Sequence, residues 1–211
     1  MEDVMFVLEL IGAAAFAVSG AMVAIEKKAD IFGVLFLAVT TALGGGVIRD
    51  VLIGRIPPVM FVSYWYLLIS VVAALAVFID AYLRSEKYKL HLDKLDAVNN
   101  VFDAIGLAVF TVSGMNAAMP VSDNVILVLF VGMCTGVGGG MLRDVMTNTM
   151  PKVLRKRVYA VASLIGGGLY YVMDYANGVW SNDAFGDRGW LAIALVIFTI
   201  WRPNVSVLAS I

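Results

Sequence analysis

The sequence predicts an all-α membrane protein with seven transmembrane helices, built as two inverted three-helix repeats followed by a final helix. Three observations support this fold class. Hydrophobic residues make up 61% of the 211 residues and charged residues only 15%, and the mean hydropathy is +0.90, a composition far from that of a soluble domain. The apolar residues also fall into long blocks, and one part of the chain repeats another.

Seven hydrophobic blocks define the predicted spans. A transmembrane helix needs about 20 predominantly apolar residues, and each block has about that length. Because a bilayer offers no water to hydrogen-bond the backbone, we expect helices rather than open strands. The blocks lie near residues 4–25, 31–51, 60–83, 97–119, 124–146, 156–176 and 189–210.

The loop charges predict how the chain is oriented in the membrane. One set of loops between the spans holds 11 Lys and Arg residues, and the other set holds only Arg55 and Arg188. By the positive-inside rule, the amino terminus lies outside and the carboxyl terminus is cytoplasmic. The sequence therefore predicts a multi-pass protein of the cell (inner) membrane.

An internal duplication organises the chain. Residues 9–57 and 103–151 align at a fixed offset of 94 without a gap, and 19 of the 49 aligned positions are identical; such self-similarity indicates repeated structural units. Because three spans precede a linker that is too short and charged to cross, the second repeat should be upside down relative to the first. The predicted units are a first repeat (1–83), a cytoplasmic linker (84–96), a second repeat (97–176), and a loop with the seventh helix (177–211).

Both repeats carry the motif Gly-Gly-Gly-x-x-Arg-Asp in their second span. A glycine costs roughly 1 kcal/mol relative to alanine in a helix interior, so the second and fifth helices are predicted to break at the triplets. Half-helix ends near the midplane would offer partial charges to an ion. The alternative is that the glycines only let two helices pack closely. The six pore or hinge candidates are Gly44, Gly45, Gly46, Gly138, Gly139 and Gly140.

Each triplet is followed by an arginine and an aspartate, Arg49-Asp50 and Arg143-Asp144. Ionisable residues within a span are costly and are usually paired or face a polar cavity. We expect pairing across the pseudo-twofold axis, either Arg49 with Asp144 or Arg143 with Asp50. A direct effect on permeation and an interfacial position with a snorkelling arginine are the alternatives.

The first span of each repeat carries a polar stripe at helical spacing. A carboxylate at its start and a hydroxyl ten residues later face the same way, and they could either line a cation path or form a packing seam. The pore-lining candidates are Glu9, Ser19, Asp103 and Ser113.

Four basic residues lie in the loop after the fifth span and at the start of the sixth. They either contact anionic lipid headgroups, where each cation is worth about 1 kcal/mol, or only enforce the topology. These residues are Lys152, Arg155, Lys156 and Arg157.

The paired motifs in inverted three-helix repeats, followed by a seventh helix, resemble the prokaryotic branch of the trimeric intracellular cation (TRIC) channel family. The resemblance covers essentially the whole chain. It implies a homotrimer with a potassium-permeable pore within each protomer and with the second and fifth helices kinked at their glycines. Some bacterial relatives with this domain resemble glycine transporters, so a secondary transporter for a small amino acid such as glycine is the alternative.

The sequence also predicts several absences. It contains no His-Glu-x-x-His or Gly-x-Ser-x-Gly motif, and no intramembrane histidine could serve Ser19 or Ser113 as a base, so we expect no enzyme activity. A single cysteine, Cys134, and a single histidine, His91, leave no Cys/His metal cluster. We expect no cofactor apart from a permeant potassium ion, and no nucleic-acid partner.

Overall fold

The computed structural model describes residues 2–83, 92–155 and 158–176, and these residues are mostly helical. The structure begins each repeat with a long helix, continues with a second long helix and a short one, and closes it with a further helix. The helices are α1 (Glu2–Glu26), α2 (Ile31–Leu52), α3 (Val59–Val62), α4 (Tyr64–Leu83), α5 (Leu92–Ala118), α6 (Val125–Met146), α7 (Lys152–Arg155) and α8 (Val158–Ala176).

Five of the described helices are long and apolar enough to cross a membrane, which makes the chain a multi-pass membrane protein. They correspond to the first five predicted spans, and α8 covers most of the sixth. The seventh predicted span, 189–210, lies outside the described residues, as does most of the linker. The helix α5 begins at Leu92, five residues before the predicted fourth span, and its apolar membrane-spanning part begins at Val98. The segment from Leu92 to Ala97 contains no glycine or proline to stop a helix. The membrane-spanning segments are Val4–Glu26, Ile31–Leu52, Tyr64–Leu83, Val98–Ala118 and Val125–Met146.

The second helix of each repeat starts and ends in the same way. At its start the side chain of Asp30 accepts a hydrogen bond from the Gly33 N–H, and Asn124, at the equivalent position of the second repeat, caps α6 through the Ile126 N–H. Both helices end in a left-handed residue, Gly54 with φ +72° and Asn148 with φ +52°. Glycine and asparagine are the residues that adopt this conformation most readily.

The first helices of the two repeats, α1 and α5, pack antiparallel. Near one end Ser113 donates a hydrogen bond to Glu9, and near the other end Ser19 donates one to Asp103. Between these contacts the equivalent rings of Phe16 and Phe110 are stacked, with centroids 5.5 Å apart and planes 14° apart. Contacts that exchange equivalent residues in this way are the arrangement that an inverted repeat requires.

The second helices, α2 and α6, cross at the glycine triplets in backbone contact. A Cβ atom at Gly45 would lie 2.1 Å from the Thr135 carbonyl oxygen, and one at Gly139 would lie 2.0 Å from the Thr41 carbonyl oxygen. Only glycine, which has no Cβ atom, allows the two backbones to come this close. Small residues are common at interfaces between membrane helices for the same reason. The crossing again exchanges equivalent positions of the two repeats.

The predicted break at the triplets is wrong, because α2 and α6 each continue through their glycines as a single helix. An unpaired backbone group at membrane depth costs several kcal/mol, which exceeds the roughly 1 kcal/mol helix penalty of a glycine. For Gly45 and Gly139, close packing of two helices therefore fits the structure better than a hinge in each helix.

Candidate functional site

Two largely buried groups of charged and polar side chains lie at the ends of α2 and α6. Each group combines residues from both repeats. The first, which we name the Glu9 cluster, consists of Glu9, Arg49, Asp50, Tyr66 and Ser113. The second, the Asp103 cluster, consists of Ser19, Asn100, Asp103, Arg143, Asp144 and Lys152.

Arg49 organises the Glu9 cluster. Its Nε donates to Asp50 Oδ1 at 2.8 Å, and its Nη1 donates to Ser113 Oγ at 3.1 Å and lies 3.6 Å from Glu9 Oε1. The hydroxyls of Ser113 and Tyr66 donate to the two oxygens of the Glu9 carboxylate. The guanidinium is therefore held between two carboxylates and a serine of the other repeat, as a buried charge requires.

Arg143 makes the equivalent contacts in the Asp103 cluster. Its Nε and Nη2 lie 2.9 and 2.8 Å from Asp144 Oδ1, and its Nη1 donates to Asp103 Oδ1 and to Ser19 Oγ. Ser19 in turn donates to Asp103 Oδ1 at 2.6 Å. The Arg143 side chain is only 1% exposed. The carboxylates of Asp103 and Asp144, and not solvent, therefore compensate its positive charge.

The two motif aspartates also fix the short helices. Asp50 Oδ2 accepts a hydrogen bond of 2.8 Å from the N–H of Val59, the first residue of α3. Asp144 Oδ2 accepts one of 2.9 Å from the N–H of Lys152, the first residue of α7. A carboxylate at a helix start is favoured by the free N–H groups there. Each Arg-Asp pair thus ties a long helix to the turn beyond it.

The predicted pairing of Arg49 with Asp144, or of Arg143 with Asp50, is wrong. Each arginine pairs instead with the aspartate next to it and reaches the other repeat through a serine. The helix crossing explains why. Since Gly45 lies opposite residue 135, Arg49 lies level with residue 131, which is 13 residues from Asp144, or about 20 Å along the helix. The snorkelling alternative fails too, because both arginines are buried within the protein.

The two clusters differ in one cation. Lys152 Nζ donates to Asp103 Oδ2 at 2.9 Å and to Asn100 Oδ1 at 3.0 Å. The buried Asp103 carboxylate thus holds the Lys152 ammonium, and contact of this residue with lipid headgroups stays a prediction. The side chain of Arg155 and the whole of Lys156 and Arg157 lie outside the described residues.

The sequence did not indicate Tyr66 or Asn100. Both residues lie outside the two aligned segments, 9–57 and 103–151, so the duplication did not select them. Tyr66 also lies within a run of aromatic residues typical of a membrane interface.

A small cavity adjoins each cluster, and a pair of phenyl rings lies between the two clusters. One cavity is lined by Glu9, Gly46, Arg49, Tyr66 and Phe110, among others. The other is lined by residues that include Phe16, Asp103, Gly140, Arg143 and Lys152. Each stacked ring thus forms part of the wall of one cavity.

All four residues of the predicted polar stripe belong to the two clusters. Glu9 and Ser113 lie in the Glu9 cluster, and Ser19 and Asp103 lie in the Asp103 cluster. Within residues 2–83, 92–155 and 158–176, no group of three or more His, Cys, Asp or Glu residues is placed to hold a metal ion. The third glycine of each triplet lines a cavity, the second lies in the helix crossing, and the first faces a side chain or backbone of the partner helix.

This geometry defines a helical multi-pass membrane protein with a duplicated core and a charged cluster near each end of a helix crossing. The chain belongs to the family described as glycine transporter, whose model matches residues 6–81 and 100–175. Among curated proteins it is similar to the UPF0126 membrane protein of Deinococcus radiodurans, with 38% identity over 168 residues that cover 79% of this chain and 74% of the relative. It is also similar to the UPF0126 inner membrane protein YadS of Escherichia coli K12, with 36% identity over 174 residues, 82% of this chain and 80% of that protein.

Solved structures confirm the resemblance to TRIC channels. A prokaryotic TRIC channel in 0.5 M KCl has 32% identity and a TM-score of 0.80, and the similarity covers 97% of this chain and 98% of that one. The TRIC trimeric intracellular cation channel orthologue from Rhodobacter sphaeroides has 29% identity and a TM-score of 0.75, over 98% of each chain. The chain therefore groups with membrane channel proteins and not with enzymes.

Proposed function

We propose that the protein is a monovalent cation channel that conducts potassium through a path within each protomer. The observation that carries this proposal is the pair of carboxylate-containing clusters, one near each end of the α2–α6 crossing. Rings or groups of acidic side chains attract cations and repel anions at the mouths of channels. The similarity of the whole fold to TRIC cation channels supports the same function.

The proposed path runs from one cavity to the other. Glu9 and the third glycine of the first triplet, Gly46, contribute to one cavity, and Asp103 and Gly140 contribute to the other. By the loop charges, the Glu9 cavity faces outward and the Asp103 cavity faces the cytoplasm. An ion would therefore meet a carboxylate on entering from either side.

In the proposed path, the stacked rings of Phe16 and Phe110 form the constriction between the two cavities. Both rings are buried, and their faces meet between α1 and α5. An apolar constriction of this kind can exclude water and ions without a charged barrier. We infer that opening requires the two rings to separate, by a small shift of α1 against α5.

We propose a homotrimer on the basis of the trimeric Rhodobacter orthologue. The outer faces of the described helices are apolar, with Phe32 and Phe61 each 72% exposed, so they suit contact with lipid or with further protomers. Mass measurement of the purified protein in detergent should give three chains per particle. A monomer at all protein concentrations would contradict the trimer.

Transport of a small amino acid such as glycine is a second candidate, favoured by the description of the family. Each cluster presents a guanidinium beside a carboxylate, which are the charges that complement a zwitterion. However, the guanidinium nitrogens of Arg49 and Arg143 already bind Asp50, Asp144 and neighbouring groups. A substrate would have to displace these buried partners, so the channel is the better fit.

Flux measurements in proteoliposomes separate the two functions. Vesicles with the purified protein should pass potassium down its gradient, at a rate that does not saturate at low concentration, and should take up no radiolabelled glycine above empty vesicles. Saturable glycine uptake with no passive potassium flux would overturn the channel. The Lys27→Met variant is a suitable folded control, because Lys27 is exposed in the turn after α1 and lies outside both clusters.

A further inference from the structure

We propose that Lys152 is a built-in counter-cation. Its ammonium occupies a position beside Asp103 that corresponds to the position of a permeant monovalent cation beside Glu9. The path would then bind a mobile cation at its Glu9 end and not at its Asp103 end. This inference rests on the proposed cation conduction and deepens it, because it assigns the residue that makes the two ends of the path unequal.

The contacts of Lys152 are those of a bound cation. Its Nζ lies 2.9 Å from a carboxylate oxygen of Asp103 and 3.0 Å from the amide oxygen of Asn100. The side chain is 27% exposed, whereas that of Asp103 is only 3% exposed, so the ammonium enters the cluster from its open side. A lysine ammonium is a compact monovalent charge on a flexible stem. It can therefore occupy an oxygen-lined position that would otherwise suit a free monovalent ion.

The Glu9 cluster has no such cation among the contacts that define it. The structural counterpart of Lys152 is Val59, because each is the first residue of its short helix and donates its N–H to the motif aspartate. Val59 is apolar and lines the Glu9 cavity. The second oxygen of Glu9 accepts a hydrogen bond from the neutral hydroxyl of Tyr66 instead.

The formal charges of the two clusters differ as a result. Among the charged groups in direct contact in the Glu9 cluster, the carboxylates of Glu9 and Asp50 face one guanidinium, which leaves one negative charge. The exposed Arg55 acts on Tyr66 only at longer range. In the Asp103 cluster, two carboxylates face one guanidinium and the Lys152 ammonium, which leaves none. Since a partly buried carboxylate without full compensation favours a nearby cation, the Glu9 end is the one that attracts a mobile ion.

Thermal unfolding tests this role without relying on conduction. The Lys152→Met variant should unfold roughly 5 °C below the wild-type protein in N-methylglucamine chloride, because Asp103 keeps only Arg143 and the cluster is left with one uncompensated negative charge. Potassium chloride at equal ionic strength should restore at least half of that loss, because a potassium ion can enter the vacated position. The unchanged protein and Lys152→Arg should show a much smaller difference between the two salts.

An exposed lysine provides the matched control. Lys27→Met removes a lysine from the turn after α1, on the side that the loop charges also predict to be cytoplasmic. It should leave the salt dependence of unfolding unchanged. Equal unfolding of Lys152→Met in the two salts, or the same potassium effect in Lys27→Met, would overturn the role of Lys152.

Moving the lysine to the other cluster tests the asymmetry of the path. The double variant Val59→Lys with Lys152→Val places the ammonium beside Glu9 and removes it from Asp103. In planar bilayers with equal potassium on both sides, the ratio of currents at opposite voltages should invert relative to the unchanged protein. Lys152→Met alone should bring that ratio closer to one. An unaltered ratio in both variants would refute the inference.

The two readouts keep the inference separate from the proposed function. If the unchanged protein carries no cation current, the channel proposal fails, and the salt dependence of unfolding still decides whether Lys152 stands in for a cation. If current flows and Lys152→Met changes neither the current ratio nor the potassium effect on unfolding, the channel remains and the role of Lys152 is lost.

Discussion

Replacing Gly45 with alanine tests whether the α2–α6 crossing depends on backbone contact. The new Cβ atom would lie 2.1 Å from the carbonyl oxygen of Thr135, and real Cβ contacts essentially never fall below 3.0 Å. The clash is with backbone, so no side-chain rotation relieves it. The two helices would have to separate by about 1 Å in a closely packed core, which weakens the contacts on both sides of the crossing.

The neighbouring variant Gly46→Ala supplies the matched comparison. Its Cβ would meet the nearest heavy atom, in the Arg49 side chain, only at 4.0 Å. Both variants gain about 1 kcal/mol of helix propensity, so the difference between them isolates the overpacking. Overpacking of a core typically costs about 1–3 kcal/mol. At about 2–4 °C per kcal/mol for a chain of this size, Gly45→Ala should unfold roughly 2–12 °C below Gly46→Ala.

The single cysteine provides the assay. Cys134 lies in α6 next to Thr135, whose carbonyl oxygen faces Gly45, and is partly buried, so a thiol-reactive dye reports its exposure as the protein unfolds in detergent. Gly139→Ala and Gly140→Ala repeat the comparison in the second repeat. If Gly45→Ala and Gly46→Ala unfold at the same temperature, the backbone contact at the crossing does not hold the two repeats together.

The remaining predictions concern the two clusters and the rings between them. Arg143→Met should lower the free energy of unfolding by about 3–5 kcal/mol, because Asp144 loses its guanidinium and Asp103 keeps only Lys152; chemical denaturation measures this, and a loss no larger than that of the exposed-lysine variant Lys27→Met would contradict it. Glu9→Gln should reduce single-channel potassium conductance severalfold while Asp50 remains paired, and unchanged conductance would remove Glu9 from the path. Phe16→Ala with Phe110→Ala should increase potassium leak from proteoliposomes, and leak equal to that of the unchanged protein would show that the rings are not the barrier.

The first five spans and the polar stripe were predictable because they depend on local patterns. Hydrophobic length alone determines a membrane helix, since a bilayer has one thickness. The stripe residues Glu9, Ser19, Asp103 and Ser113 were found because helical spacing and the repeat both select them. Their antiparallel contacts then follow from the inversion of the repeat.

The cluster partners were less predictable, because they depend on how far two helices slide past each other. A repeat suggests that equivalent charges meet, yet the crossing at Gly45 and Gly139 separates Arg49 from Asp144 by about 20 Å. The glycine triplets gave a second misleading signal, because helix propensity omits the cost of unpaired backbone in a membrane. Lys152 resembled a loop residue in the sequence, and only the fold brings it to Asp103.

The reversal potential of single-channel currents tests the proposed cation channel most directly. The purified protein would be placed in a planar bilayer with potassium chloride at different concentrations on the two sides. We predict unitary currents that reverse close to the equilibrium potential of potassium, because a carboxylate lies in the cavity on either side of the phenyl rings. Currents that reverse near the equilibrium potential of chloride would contradict the cation channel. The absence of unitary currents would also contradict it, provided that a thermal unfolding transition shows the protein to be folded.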